Sequence, residues 1–247
     1  MKPVPVPLCC DRCRKTYAAS QDFVDLTLLQ GGGGGAGGGG TDGGFPAALF
    51  STLSSFGLPL PPLPSTDASL NQPGTRIFQS PLVAYAYERG WRQGFSVAGF
   101  PGVEREFQIA LGYTEAAHAV GEGLLIDMSC GSGLFSRRFA ASGGFARIVA
   151  ADFSESMLRQ TRELCEKDAV AAAALSAGTL SLVRADVARM PFATASVAAV
   201  HAGAALHCWP NSTAAFAEVS RVLRPGGVFV GSTFMVGVGG AALLAHS

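Results

Sequence analysis

Ten residues, Leu124-Leu-Ile-Asp-Met-Ser-Cys-Gly-Ser-Gly133, restrict what this chain can fold into. Leu124 to Met128 reads as a short buried strand. The turn after it can be tight and can approach a ligand closely, because Gly131 and Gly133 carry no Cβ. Leu134-Phe-Ser-Arg-Arg-Phe-Ala140 then starts an amphipathic helix. A strand, a glycine turn and a helix in that order present backbone N–H groups to a nucleotide-like ligand. The same turn also occurs as plain chain reversal, so the residues that follow it decide.

A second apolar run, Ala146 to Ala151, ends in Asp152, nineteen residues beyond Gly133, the distance at which a carboxylate on the second strand reaches ribose hydroxyls. Leu180-Ser-Leu-Val-Arg-Ala-Asp186 repeats the pattern of strand then acid, which places Asp186 beside the edge of an adenine. Val197–Val200 and Val228–Val230 complete five predicted strands, the last after the turn Arg224-Pro-Gly-Gly227. Helical patterns separate the first three strands and precede the fifth. The prediction is an α/β fold, a Rossmann-like doubly wound, mostly parallel sheet with helices on both faces and ligands at the strand carboxyl ends. Pyrophosphate fits poorly. Position 136 is Ser where a dinucleotide site has its third glycine, no Gly-Lys-Ser/Thr follows, and Asp127 puts negative charge just before the turn. A cationic donor, S-adenosylmethionine, suits the acid better.

Residues 124 to 234 resemble a class I S-adenosylmethionine-dependent methyltransferase of the type 11 group. The resemblance is closer to a plant and algal chloroplast subfamily, uncharacterised or plastoglobule-associated. It is carried by Ser80-Pro-Leu-Val-Ala-Tyr-Ala-Tyr-Glu-Arg-Gly-Trp-Arg-Gln93, Gly99-Phe-Pro-Gly-Val-Glu-Arg-Glu-Phe107, Asp127-Met-Ser-Cys-Gly-Ser-Gly133 and His201-Ala-Gly-Ala-Ala-Leu-His-Cys-Trp-Pro210, with Arg221-Val-Leu-Arg-Pro-Gly-Gly227 shared by the whole group. It implies that Asp127, Gly131 and Gly133 line the methionine end of the cofactor, that Asp152 holds the ribose, and that Asp186 and Val187 border the adenine. Ser129, Cys130, Phe153, Ser154 and His201 complete the implied contacts. Ser129 stands where many relatives carry glycine. The subfamily also implies a chloroplast address, although Met1 to Leu8 is neither Arg- and Ser-rich nor apolar enough to be a targeting segment.

The ends depart from the family pattern. Cys10-Asp-Arg-Cys13 resembles the second knuckle of a zinc ribbon whose first knuckle is missing. Cys9, Cys10 and Cys13 supply three ligands at most where structural zinc takes four, so no metal is expected. After Val230 the family's sheet adds two more strands that this sequence does not display, which leaves the fifth strand as an apolar edge. The domain plan is a partial zinc-ribbon-like segment over 1–30 and a Gly/Pro-rich linker over 31–75. A helical lid or extension over 76–120, the methyltransferase domain over 121–235 and a tail over 236–247 follow. Residues 31–40 are nine glycines and one alanine.

Eighteen basic and eighteen acidic residues balance, which disfavours nucleic acid as a partner. Six cysteines without regular spacing point to a reducing compartment rather than a disulfide framework. Residues 226–245 lack charge, but six of the twenty are glycines, so a membrane span is not expected and lipid contact is at most peripheral. The expected partner is a small acceptor, apolar or aromatic, such as a prenylquinone-like ring, bound by a monomer. His207 is the candidate catalytic base, because it follows the fourth strand at the cleft edge, and Trp209 beside it can stack on a planar acceptor or pack against the next helix. Two alternatives stay open: an RNA base methyltransferase, since zinc-ribbon-bearing rRNA enzymes share this domain order, and a module that binds cofactor without turnover.

Overall fold

Alternation along β4 (Leu124–Met128) sends Leu125 to one face of a sheet and Ile126 and Met128 to the other, all buried. The computed structural model describes residues 8–9, 16–17, 20–27, 95, 99–115, 121–235 and 240–246. Beside β4 on one side runs β5 (Arg147–Asp152), then β6 (Leu180–Arg184); on the other side runs β7 (Val197–Ala202), then β8 (Leu223–Met235). These neighbours are all parallel. The chain moves outward from β4 through β5 and β6, then returns to its far side, so strand order reverses between β4 and β7. That reversal opens a crevice at the carboxyl ends of the strands.

Helices cover both faces, as predicted. Helix α1 (Val103–Glu115) and helix α2 (Leu134–Ser142) pack Phe107, Phe135 and Phe139 together on one face, with Phe107 and Phe139 rings edge-on at 5.3 Å. Helix α3 (Glu155–Lys167) and α4 (Ala169–Ala177) share that face through Leu158, Cys165 and Ala171. Asp168 ends α3 and caps α4, its carboxylate accepting from the amides of Val170 and Ala171. The opposite face is covered by α5 (Ser212–Val222) and by two short 3₁₀ turns, Val187–Arg189 and Leu206–Cys208. Among the described residues no helix is long and apolar enough to cross a membrane.

Both sheet edges differ from expectation. The turn Arg224–Gly227 lies inside β8 as an irregularity: Leu223 pairs with Val197, and regular pairing resumes at Val228 with Ala199. The fifth predicted strand is not an open edge, which corrects that expectation: of the two further strands expected to be missing, one antiparallel strand is present beside it. Residues Gly240–His246 form β9, antiparallel to β8 from Phe229↔His246 to Met235↔Gly240. With Val24–Asp25 as β3, the described residues form a seven-stranded sheet in the order β3-β6-β5-β4-β7-β8-β9. Its other edge is β3 (Val24–Asp25), parallel to β6, so residues expected to belong to an N-terminal ribbon enter the catalytic sheet, with Phe23 buried in its core. Strands β1 (Leu8–Cys9) and β2 (Thr16–Tyr17) make a separate antiparallel pair. Cys10 and Cys13, the linker at 31–75 and the aromatic segment at 80–92 lie outside the described residues.

Candidate active site

The loop between β4 and α2 is fixed from three sides. Behind it, the Cys130 amide donates to the Ala151 carbonyl at 3.0 Å, extending the β4–β5 ladder. From below, the Thr161 hydroxyl of α3 donates to the Gly131 carbonyl at 2.8 Å. Across the crevice, the Trp209 indole N–H donates to Ser129 Oγ at 3.1 Å. Gly133 opens α2 at φ +75°, and a Cβ there would overlap the Thr161 methyl group, so this position takes glycine for both conformation and space. Ser129 also has a positive φ, +59°, a backbone conformation that favours glycine.

Asp152 closes the loop. Its Oδ2 accepts from the Gly131 amide at 2.9 Å and its Oδ1 from the Ser154 amide at 2.8 Å. Burial pushes this carboxyl up to about 6, with Asp127 adding to the rise and the amide donors opposing it. Ser154 caps α3 by accepting from the Met157 amide. Phe153, half-buried, lies under the Arg184 guanidinium at 5.3 Å from its ring centroid.

Asp127, on β4, is enclosed by protein groups. Its carboxylate is buried, with Oδ1 2.7 Å from His201 Nδ1 and Oδ2 accepting from the Ser136 hydroxyl. Asp127, Asp152 and Asp186 stand at or just past the carboxyl ends of three adjacent strands, and the Asp127 carboxylate is the most enclosed of the three. His201 is likewise buried against the sheet, between Asp127 and the rings of Phe135 and Phe139, at 4.7 and 5.3 Å. The pair ties the ends of β4 and β7 together. Asp186 caps the 3₁₀ turn after β6 by accepting from the Ala188 amide and pairs with Arg189 at 3.3 Å. Val187, next to it, is buried. Cys130 is also buried, and burial, with Asp152 and Asp127 nearby, holds its thiol well above the usual range, so it stays protonated and unreactive.

On the far side of the crevice, His207 is half-buried in the turn after β7, its Nδ1 3.3 Å from the Thr233 hydroxyl of β8. Burial lowers its pKa to about 4, which keeps the imidazole neutral around pH 7. Trp209 packs rather than stacking on an acceptor: it is buried against Phe216 and Phe229 at 5.7 and 6.3 Å. Cys208 between them is pushed up to about 12 by burial and by Asp152. Ser136, Thr161, Thr233 and Arg184 escape a reading of sequence alone. Ser136 and Thr161 carry a usable signal, a small hydroxyl inside an apolar helical stripe: Phe135, Ser136, Phe139 on α2 and Met157, Leu158, Thr161, Cys165 on α3. Among the described residues no cluster of His, Cys, Asp and Glu is arranged to hold a metal.

The methyltransferase-domain family matches residues 126–231, from β4 to β8. Two uncharacterised chloroplastic methyltransferases of Arabidopsis thaliana are each 43% identical over 226 residues, 92% of this chain and 53% of the relative. The chain therefore spans about half the length of these curated relatives. A demethylmenaquinone methyltransferase of Clavibacter sepedonicus is 34% identical over 117 residues, 47% of this chain and 43% of its own. Among solved structures, phosphoethanolamine N-methyltransferase 2 of Haemonchus contortus, in complex with phosphomonomethylethanolamine and S-adenosylhomocysteine, shares the fold. Its TM-score is 0.53 at 18% identity, over 68% of this chain and 36% of that one. Over residues 126–231 this chain thus carries a methyltransferase domain, and across most of its length it is similar to two chloroplastic methyltransferases.

Proposed function

We propose that this protein transfers a methyl group from S-adenosylmethionine to a small apolar or aromatic acceptor in the chloroplast, with a prenylquinone-like ring as the favoured class. The observation that carries the cofactor assignment is the pinned Asp152 carboxylate. The amides of Gly131 and Ser154 hold it at the carboxyl end of β5, with the Phe153 amide also acting on it, and an ionised carboxylate has about four acceptor positions, so it keeps acceptor capacity for a ribose hydroxyl. The loop beside it, with Gly131 and Gly133, provides close backbone approach, and Val187 with Asp186 stands at the next strand end for an adenine. When bound, S-adenosylmethionine supplies an electrophilic methyl group on a sulfonium that departs as a neutral thioether.

The chain's own contribution is placement and one proton. Orientation of two bound reactants is worth effective molarities of order 10⁵ M or more, and a rigid loop held at three points serves that end. An acceptor that must lose a proton, such as a phenol or an activated ring carbon, can give it to His207 Nε2, provided Nδ1 carries the other proton and donates to the Thr233 oxygen. The neutral state of His207 keeps Nε2 available for that step. Sequence likeness to a demethylmenaquinone methyltransferase supports the ring acceptor, and the chloroplastic relatives support the address.

The test is incubation of the protein with methyl-labelled S-adenosylmethionine and a plastid lipid extract. Label is expected in the quinone fraction, and its loss is expected in His207→Gln while S-adenosylhomocysteine still binds. Label appearing in RNA instead, or in no extract fraction despite tight cofactor binding, would remove the ring-acceptor assignment.

A further inference from the structure

Arg184, the last residue of β6, has a side chain whose bonds reach away from its own strand in two directions. Toward the site, its Nε donates to the Phe153 carbonyl at 3.0 Å and its guanidinium covers the Phe153 ring. The next amide, that of Ala185, donates to the Asp152 carbonyl at 3.0 Å. Its Nη1 lies 2.9 Å from Glu155 at the start of α3 and, away from the site, 2.9 Å from Asp25. Asp25 belongs to β3, in register with Arg184, and the Leu26 amide donates to the Arg184 carbonyl at 2.9 Å. The Asp25 carboxylate is fixed in turn, with its Oδ1 accepting from the Thr27 amide at 2.9 Å and from the Thr27 hydroxyl. Burial acts to raise this carboxyl, but the Thr27 donors and Arg184 outweigh it and hold it below the usual carboxylate range. The two side chains of the pair are only 21% and 18% exposed, so the contact is not a screened surface ion pair.

The residues Arg184 grips are therefore Phe153 and Glu155, which flank Ser154 directly after the ribose-side carboxylate. We propose that Arg184 is a positioning residue for the cofactor, completed by Asp25, so that the N-terminal segment forms part of the cofactor site although it touches no cofactor atom. This rests on the assignment of Asp152 to the ribose. Planarity matters as well as charge: one guanidinium serves a carbonyl through Nε and two carboxylates through Nη1, a geometry no ammonium reproduces.

The experiment titrates the whole chain with S-adenosylhomocysteine by calorimetry and compares Asp25→Asn, Arg184→Lys, Arg184→Met and their combination. The exposed pair Asp22–Arg159, at 3.9 Å on the same N-terminal segment and helix, supplies Asp22→Asn as the control. Asp25→Asn and Arg184→Met are expected to weaken binding about 5- to 20-fold, with the double variant no weaker than Arg184→Met, as coupled neighbours require. Arg184→Lys is expected to lose about as much as Asp25→Asn while its melting temperature stays within a few degrees of the unsubstituted chain, a split that a general loosening of the fold does not produce. Asp22→Asn is expected to stay within about twofold. If Arg184→Met does not fold, Asp25→Asn and Arg184→Lys still decide. Undiminished affinity in both would overturn this inference and leave the cofactor assignment intact, whereas no heat from the unsubstituted chain would overturn both.

Discussion

Asp127 and Asp152 stand on adjacent strands and differ in what their oxygens meet. Asp127 is enclosed by His201 and Ser136, so its work is to hold β4 against β7; Asp127→Asn leaves a buried donor or acceptor mismatched and is expected to lower unfolding stability by about 1–3 kcal/mol in a denaturant titration. Asp152 carries the opposite tension, a buried carboxyl raised to about 6 that the proposed ribose contact requires to be ionised. His207, lowered to about 4, is its counterpart across the crevice. The signs of their linkage oppose. Between about pH 4 and 6 the folded state binds more protons than the unfolded at Asp152, so stability falls as pH rises; at His207 the folded state binds fewer, so stability rises with pH up to about 6.5. In the unsubstituted chain the two slopes largely cancel. Asp152→Asn is expected to expose the rising slope and His207→Gln the falling one, read as denaturation midpoints across pH 4 to 7. Parallel profiles in both variants would contradict the pKa assignments.

At the scale of elements, the apolar runs of β4, β5, β6 and β7 and the acids that end three of them are visible in sequence, because burial on both faces demands continuous hydrophobic residues. The edges are not visible in that way. β3 contributes two residues, too few for any periodicity, and β9 draws its order from pairing with β8 rather than from its own Ala-rich sequence. The enclosure of Asp127 was also hidden, since it depends on a histidine seventy-four positions away. β9 covers the backbone of β8 along seven residue pairs. Deleting residues 240–247 is expected to return β8 to an open apolar edge, which light scattering would register as a concentration-dependent association stronger than that of the whole chain. In the loop before α2, Gly133→Ala meets both a positive φ and the Thr161 side chain and is expected to destabilise by about 1–3 kcal/mol. Gly133→Ala combined with Thr161→Ser would recover only the steric share of that loss, which separates space from backbone strain.

For the whole molecule, charge separates a small acceptor from a nucleic acid. With eighteen basic and eighteen acidic residues the chain has no net field, and many of its cations are engaged locally: Arg159 and Arg162 with glutamates on the same helix, Arg184 with Asp25 and Glu155, Arg221 with Glu218. Glu218, in turn, is held below the ordinary carboxylate range chiefly by its bond from Arg221, so this pairing persists well into the acid range. A protein that neutralises even a few phosphates loses affinity steeply with salt, because each contact releases condensed counterions. An enzyme that recognises an uncharged ring by burial does not, and added salt leaves its acceptor binding unchanged or slightly firmer. Methyl transfer by this protein is therefore expected to vary by less than about twofold between 50 and 300 mM potassium chloride. A log–log slope near zero fits the apolar acceptor, whereas a slope of several negative units with an RNA substrate would return the assignment to nucleic acid.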